Sequence, residues 1–427
     1  MTQSANPAPP RADVHHLLGH PSDLRGHVET HGPLNVALSR DSSWRESLAS
    51  SLEASGLTGR GGGGFPAAAK VALARSAGSG GTVIVNAMEG EPASDKDKLL
   101  LTRAPHLVLD GAQYLAALCR ADRIVVCVPT GRDAIAAAVT NAIGERVAHG
   151  YARASEEVVR PPDRFIAGEE SALTNWLESG RSLPVFRADK GTPLRLGRRP
   201  VLLHNTETLA HVALIARHGP GPFRSRGMTE EPGTCLVTIS GSVAHPGVVE
   251  VDRGTPLSSI AARANPVEPV QGLLVGGYGG TWVGPDHFET PYASLSLRTI
   301  GAAAGVGVIV ALGQTCCGVA ESARVARYLA DQGAGQCGPC AYGLPAIADD
   351  LALLARGQAK GDILAQLQRR LRAVNGRGAC RHPDGAVSMV QSALVVFAAD
   401  IAAHSRGEPC PYSRRPTVLA FPRPIGL

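Results

Sequence analysis

The chain has 427 residues, 44% of them apolar and 19% charged, with a formal net charge of +5, a composition that suits about two to four folded domains. The small charge, and the lack of any basic run interleaved with aromatics, argue against nucleic acid as a partner. No apolar stretch approaches the roughly 20 residues that span a bilayer, the N-terminal region has no apolar leader core, and nine scattered cysteines point to a reducing cytoplasm rather than a disulfide framework.

Residues 1–42 are rich in Pro and His with weak periodicity and read as a loose arm. The run Gly59, Arg60, Gly61, Gly62, Gly63, Gly64, Phe65, Pro66 then opens an Ala-rich helix through Lys70 and Leu73. Glycines let the backbone approach a phosphate with its N–H groups, and a helix N-terminus behind them adds a favourable dipole. A bare glycine run is more often a plain turn. Here Arg60 and Lys70 flank it and a strand, Thr82 to Val85, follows.

That strand ends in Asn86, Glu89 and Glu91, with Lys96 and Asp97 beyond. In open α/β sheets ligands sit outside the carboxyl ends of strands, so Asn86, Glu89 and Glu91 are candidates to face a cofactor; the plainer alternative is a solvated acidic loop. A second strand, Ile124 to Val128, ends at Pro129–Arg132 and supports a layered α/β domain. Glu169 and Glu170 follow an apolar strand end at Phe165–Ala167, and His204, Asn205, Thr206 and Glu207 lead into a helix to about Ala216. Such groups can hydrogen-bond a heterocycle or ribose but form no nucleophile–base pair, so the site reads as a cofactor cradle. Gly233 to Val251 alternates as a hairpin.

Cys337-Gly338-Pro339-Cys340 and the distant Cys380 are the pattern an iron–sulfur cluster needs. Zinc and purely structural thiols stay open beside it, because Cys380-Arg381-His382 offers further ligands. A thioredoxin-type pair would need a βαβ context, whereas Ala323–Gln332 and Leu344–Leu354 on either side read as helix. Ile363, Leu364, Leu367, Leu371 and Val374 form an apolar stripe behind Asp362 as N-cap, and another helix is expected from Ala386 to Ala403. The expectation is a four-helix bundle with cysteines at its end. Cys316, Cys317 and Cys410 are unassigned, and a buried structural role is the default for them.

In this order, Gly59–Pro66, Asn86–Asp97, Gly168–Leu173, Asn205–Leu209 and the Cys337, Cys340, Cys380 set resemble the NADH-oxidising flavoprotein subunit of respiratory complex I and its relatives in soluble hydrogenases and formate dehydrogenases, over residues 50–405. The resemblance implies an α/β fold: a Rossmann-like FMN and NADH domain at 43–230, a small β-grasp-like domain of the SLBB type at 231–305, a helical-bundle iron–sulfur domain at 306–408, and a tail at 409–427. It implies FMN, NAD(H) and an iron–sulfur cluster, 4Fe-4S or 3Fe-4S, as cofactors. Electrons would pass from NAD(P)H through FMN to the cluster and on to a redox protein, either a thioredoxin-like iron–sulfur subunit or a ferredoxin, in the cytoplasm or at the edge of a membrane complex.

Carried over residue by residue, the resemblance makes Arg60, Gly61, Gly62, Gly63, Gly64, Phe65, Lys70, Asn86, Glu89, Glu169, Glu170, His204, Asn205 and Thr206 cofactor-binding. It makes Glu89 and Glu91 catalytic and Cys337, Cys340 and Cys380 metal ligands. The sequence departs from the family at Met88, Phe165, His204, the stretch Val185–Gly191, and above all Ala334, which stands where the first cluster ligand belongs. Two other readings follow from the departures: a flavoprotein that takes electrons from a ferredoxin, and a non-catalytic electron-transfer or scaffold subunit.

Overall fold

The computed structural model describes residues 16–34, 41–186 and 191–422. Thr82–Asn86 (β1), Arg123–Cys127 (β2), Ser155–Val159 (β3), Leu194–Leu196 (β4) and Arg199–Asn205 (β5) form one sheet, in the order β3-β2-β1-β5-β4. β1 runs parallel to β2 and β5, and Asn86 is in register with both Cys127 and Asn205. Its Val83, Ile84 and Val85 are fully buried, the mark of a parallel strand covered on both faces.

The covering helices divide by face. Val83, Val85, Ile124, Val126 and Leu202 pack with Pro105–Cys119 and Thr206–His218, whereas Ile84, Val125, Cys127 and Leu203 pack with Leu173 of Glu170–Ser179. In chain order the helices of this unit are α1 (Leu24–His31), α2 (Ser42–Ser55), α3 (Ala67–Ser76), α4 (Lys96–Arg103), α5 (Pro105–Cys119), α6 (Asp133–Ala148), α7 (Glu170–Ser179), α8 (Thr206–His218) and α9 (Pro220–Arg224).

Two sequence expectations are corrected here. The arm expected to be loose over 1–42 contains α1, which is fastened down: buried Asp110 on α5 bonds His27 at 2.9 Å and Arg146 of α6 at 2.8 Å, and also pairs with Arg217 of α8. The arm residues 1–15 and 35–40 lie outside the described residues. Phe165–Gly168 is a short 3-10 turn rather than a strand end.

A second unit holds Thr234–Gly241 (β6), Gly247–Asp252 (β7), Val270–Val275 (β8), Thr281–Val283 (β9) and Val308–Gly313 (β10), in the order β7-β6-β10-β8-β9. β6 and β7 form the expected antiparallel hairpin. β10 lies between β6 and β8, parallel to the first and antiparallel to the second, so a boundary at 305/306 would remove the sheet's central strand. The short helices α10 (Leu257–Ala262) and α11 (Ser294–Thr299) complete it.

The third unit consists of α12 (Gly318–Gln332), α13 (Leu344–Ala355), α14 (Ile363–Val374), α15 (His382–Val396) and α16 (Ala398–Ser405). Asp362 caps α14 as read, its carboxylate accepting from Ala365 N at 3.0 Å. The single helix expected over 386–403 begins earlier, at His382, and breaks at Phe397 with an 87° bend. Phe397 is buried with its ring 5.1 Å from Trp282, and that anchor turns the chain. Among the described residues no single helix is long and apolar enough to cross a membrane.

α5 and α8 cross at Gly111, where an added methyl would collide with the Leu209 carbonyl. Gly111→Ala is therefore expected to cost about 3 kcal/mol or more, at the upper end for overpacking. Urea unfolding curves that coincide with the wild type would contradict this crossing.

Candidate functional site

The chain leaves β1 toward β2 on one side and returns as β5 on the other. Their carboxyl ends therefore border the crevice where α/β sheets receive ligands. Asn86 and Asn205 are in-register neighbours on β1 and β5 at this edge. Asn86 Nδ2 donates to Gly168 O at 2.9 Å, and Asn205 Oδ1 accepts from Lys96 Nζ at 3.1 Å and from Glu207 N at 3.1 Å. The glycine loop closes over this edge: Gly59 N donates to Phe65 O at 2.9 Å, and a Cβ at Gly61 would lie 3.2 Å from Asn205 Cβ. Gly62 has φ +104, and a Cβ there would lie 3.2 Å from Val306 Cγ1. Gly63 and Gly64 face open space, which leaves their backbone free to meet a ligand.

Beneath the loop lies Lys96, 2% exposed, with its ammonium 2.9 Å from Asp97 and 2.9 Å from Glu207. Burial opposes its charge, but the two carboxylates overcome that and raise its pKa. The sequence places Glu207 among the cradle groups but assigns Lys96 no role, although the adjacent opposite charges of Lys96 and Asp97 are a local signal.

Glu89 and Glu91 are both buried and both pushed up to about 7, in each case chiefly by burial. Nearby Asp97 adds to the effect at Glu89. Glu89, at φ 31, accepts from Ser94 Oγ at 2.7 Å, Asp97 N at 2.9 Å and Lys98 N at 3.0 Å, so it caps the start of α4. Glu91 accepts from Tyr278 N at 2.8 Å and Ala93 N at 3.3 Å. A Cβ at Gly277 would lie 2.6 Å from its carboxylate. Tyr278, Gly277 and Val306 come from the second unit, and nothing local in the sequence announces them.

The other expected residues divide. Lys70 pairs with Glu170 and donates to Leu203 O at 3.2 Å, at the rim of the crevice. Glu169 caps α7, accepting from Ser171 N and Ala172 N at 3.0 Å. His204 is buried and its pKa is lowered to about 3 by burial and by the Lys70 charge. Its Nε2 and the Oγ1 of buried Thr206 have no hydrogen-bond partner among the described residues. Phe65 is exposed at the loop's end. Arg60 departs from expectation: its guanidinium turns inward to Thr58 Oγ1 at 3.0 Å and Thr234 O at 3.1 Å, bracing the loop against the second sheet. Of the altered stretch Val185–Gly191, residues 187–190 lie outside the described residues.

The thiols sit on the far side of Phe165. Cys340 is buried in the wide turn Pro339–Gly343, while Cys337 and Cys380 are half-buried. Burial raises the Cys340 and Cys380 thiols; Cys337 adds to the rise at Cys340, and Cys340 and Cys337 add to it at Cys380. The backbone at Gly335 and Ala334 offsets part of that rise at Cys340. Cys317 and Cys410, unassigned from the sequence, gather with His404. Among the described residues two hydrogen bonds join the crevice side to the thiol side: Arg164 donates to Gly333 O at 3.2 Å and Phe165 N to Gln332 Oε1 at 3.1 Å. The Phe165 ring lies 5.4 Å from His382.

Residues 52–214 match the Nuo51 FMN-binding domain, and residues 320–404 match the NADH-ubiquinone oxidoreductase-F iron-sulfur binding region. The chain is 30% identical to the F subunit of the NADH-quinone oxidoreductase of Salmonella typhimurium over 374 residues, which cover 82% of this chain and 83% of that one. It belongs to this family of NADH-quinone oxidoreductase F subunits. A further F subunit, from the NADH-quinone oxidoreductase of Rhizobium meliloti, is 28% identical over 375 residues, 84% of this chain and 89% of the relative. In three dimensions the chain is similar to an NAD+-reducing NiFe hydrogenase in the H2-reduced state, with TM-score 0.78 and 26% identity over 89% of this chain. It spans 65% of that hydrogenase chain. The FMN-binding match encloses the glycine loop, both asparagines and the acidic segments, and the iron–sulfur match encloses Cys337, Cys340 and Cys380.

The raised acids fix a pH dependence. With a folded pKa of about 7 against an ordinary 4.5, Glu91 keeps its proton in the folded chain where the unfolded chain has lost it. The stability it contributes is full below about pH 4.5 and is lost as pH rises through about 7. Glu91→Gln, which cannot ionise, is expected to match the wild type near pH 4 and to exceed it near pH 8 by up to about 3 kcal/mol. Thermal melts of the two with parallel pH profiles would refute the assignment.

Proposed function

We propose that this chain is the electron-entry flavoprotein of a larger redox assembly, taking electrons from NADH and delivering them through an iron–sulfur centre to a partner protein. One observation carries the reading. A glycine loop lies over the Asn86 and Asn205 pair, and the same crevice is wired by Arg164 and Phe165 to the loop bearing Cys337 and Cys340.

FMN fits the residues present. Gly63 and Gly64 offer an unobstructed backbone cradle, and His204 Nε2 and Thr206 Oγ1 are buried polar atoms without partners among the described residues. Gly61 to Gly64 and Lys70 would take the phosphate, and Asn86 and Asn205 the ring and ribitol edge. When bound, the flavin supplies the conversion of a hydride pair into single electrons. Glu91, poised between charged and neutral, would orient the nicotinamide and hold or give up a proton beside it. Glu89 would act behind it by fixing α4, and Glu169 by fixing α7.

The thiol site fits a cluster in part. Cys337, Cys340 and Cys380 provide three soft ligands, and Ala334 leaves one iron of a four-iron cluster without a cysteine. The β6–β10 unit is read as the β-grasp-like module of the SLBB type, and α12 to α16 as the helical bundle carrying the cluster. The domain division is read as 43–230, a middle unit carried on through β10 to 313, and the helical unit beyond. The partner is read as a thioredoxin-like iron–sulfur subunit or a ferredoxin. Ala334 also favours a second reading, in which the last unit docks a partner without carrying a cluster.

Gly62→Leu would force a bulky residue into a left-handed conformation, at about 1–2 kcal/mol, and into Val306. Bound FMN is expected to weaken at least roughly tenfold, read from flavin absorbance after gel filtration; full occupancy would remove the loop from the site. Glu91→Gln should keep its flavin yet slow anaerobic reduction by NADH roughly a hundredfold, within the reach of one acid–base group. A wild-type flavin that neither NADH nor NADPH bleaches would move the reading to a ferredoxin-type reductant. Ala334→Cys should raise iron content and stabilise a four-iron signal in low-temperature electron paramagnetic resonance. If neither wild type nor variant holds iron after anaerobic reconstitution, the docking reading stands.

A further inference from the structure

A second group of metal-type ligands lies apart from both sites, where the chain after α16 folds back on the helical unit. Cys317 precedes α12, His404 is in the last turn of α16, and Cys410 lies on the returning strap. Their three ligand atoms lie within 4.8 Å of one another, and Cys317 Sγ is 3.7 Å from His404 Nε2. Tetrahedral zinc, with Zn–S about 2.3 Å and Zn–N about 2.0–2.1 Å, sets sulfur and nitrogen about 3.6 Å apart. The observed pair already spans that edge.

The surroundings are those of a built site. His404 is fully buried and its Nδ1 donates to Leu354 O at 3.1 Å. That bond fixes the tautomer and leaves Nε2 as the unprotonated nitrogen, 3.7 Å from the Cys317 sulfur, as the outer partner of a metal-bound histidine does. Nε2 accepts Cys410 N–H at 3.1 Å, the contact an ion would replace. Cys317 is buried at the N-terminus of α12, with Ala320 N donating to its sulfur at 3.4 Å. Burial, with Cys410 beside it, still pushes the Cys317 thiol up, so a cation must displace its proton on binding. No fourth His, Cys, Asp or Glu joins the group among the described residues. Cys317 also lines a cavity of about 310 Å³ shared with Cys316, Glu321 and Arg415.

We propose that Cys317, His404 and Cys410 bind a borderline-soft divalent cation of the zinc type, distinct from the cluster on Cys337, Cys340 and Cys380. The ion staples the strap to α12 and α16. Beyond Cys410 the strap is held by Arg324 on Arg415 O at 2.8 Å and by Thr417 on Glu321 at 2.5 Å, and Ala420 O accepts from the Tyr278 hydroxyl. Tyr278 is the residue whose backbone N–H holds Glu91, so the staple also steadies one wall of the redox site.

The test uses the full-length protein, purified under reducing, anaerobic conditions, with zinc and iron measured by mass spectrometry and zinc then exchanged for cobalt. The expected result is a single zinc per chain that survives in a Cys337→Ser, Cys340→Ser, Cys380→Ser variant, together with a thiolate-to-cobalt charge-transfer band. Cys410→Ser, on a half-buried segment, should weaken zinc at least roughly tenfold, whereas Cys410→His should keep it. Chelation should open the strap to limited proteolysis. A wild type that holds neither zinc nor cobalt would overturn the proposal. So would an intact mass showing a Cys317–Cys410 disulfide in the anaerobic protein.

Discussion

One buried ammonium holds the cradle together. Lys96 has almost no contact with solvent, and its charge is met by Asp97, Glu207 and the Asn205 amide oxygen. Glu207 in turn accepts Leu236 N at 2.9 Å from β6 and lies 3.8 Å from Arg60 behind the glycine loop. Four distant stretches of chain are thus locked around one charge. Breaking such a buried set from one side typically costs about 3–5 kcal/mol because the remaining charge is left uncompensated. The arrangement resists small rearrangements of the loop above it, and that rigidity is what a site for a planar cofactor requires.

The second sheet serves the redox site as a wall. Tyr278 N fixes the Glu91 carboxylate, Gly277 lets that carboxylate approach, and Val306 backs the glycine loop at Gly62. Burial against this wall moves Glu91 into the neutral range; in water an ordinary glutamate would be fully ionised there. The acid's chemistry therefore depends on a unit that carries no ligand-binding motif of its own.

In the helical unit Ala334 stands three residues before Cys337, beside the stretch that meets the first unit. The backbone at Ala334 offsets part of the rise at the Cys340 thiol, and the flavin-side residues Arg164 and Phe165 clasp the adjoining Gly333 and Gln332. The docking between the two sites is thus built from backbone and packing contacts that do not need the missing thiol. Elsewhere in the same unit, His404, Cys317 and Cys410 gather around a different point.

Local pattern determined a good deal. The apolar runs at Thr82–Val85 and Ile124–Val128, the glycine loop, the hairpin from Gly233 and the Asp362 cap depend on backbone sterics and on neighbours within a few residues, and all are legible in order along the chain. The docked helix at Leu24–His31, the inward turn of Arg60, the break at Phe397 and the place of β10 were not. Each is decided by a partner more than 30 residues away: Asp110, Thr234, Trp282, and the β6–β8 gap. The same holds within the sites. The sequence shows that Glu91 and Cys317 are an acid and a thiol; only the fold sets Tyr278 against one and His404 against the other, because burial and pairing arise from residues that meet in space and not in sequence.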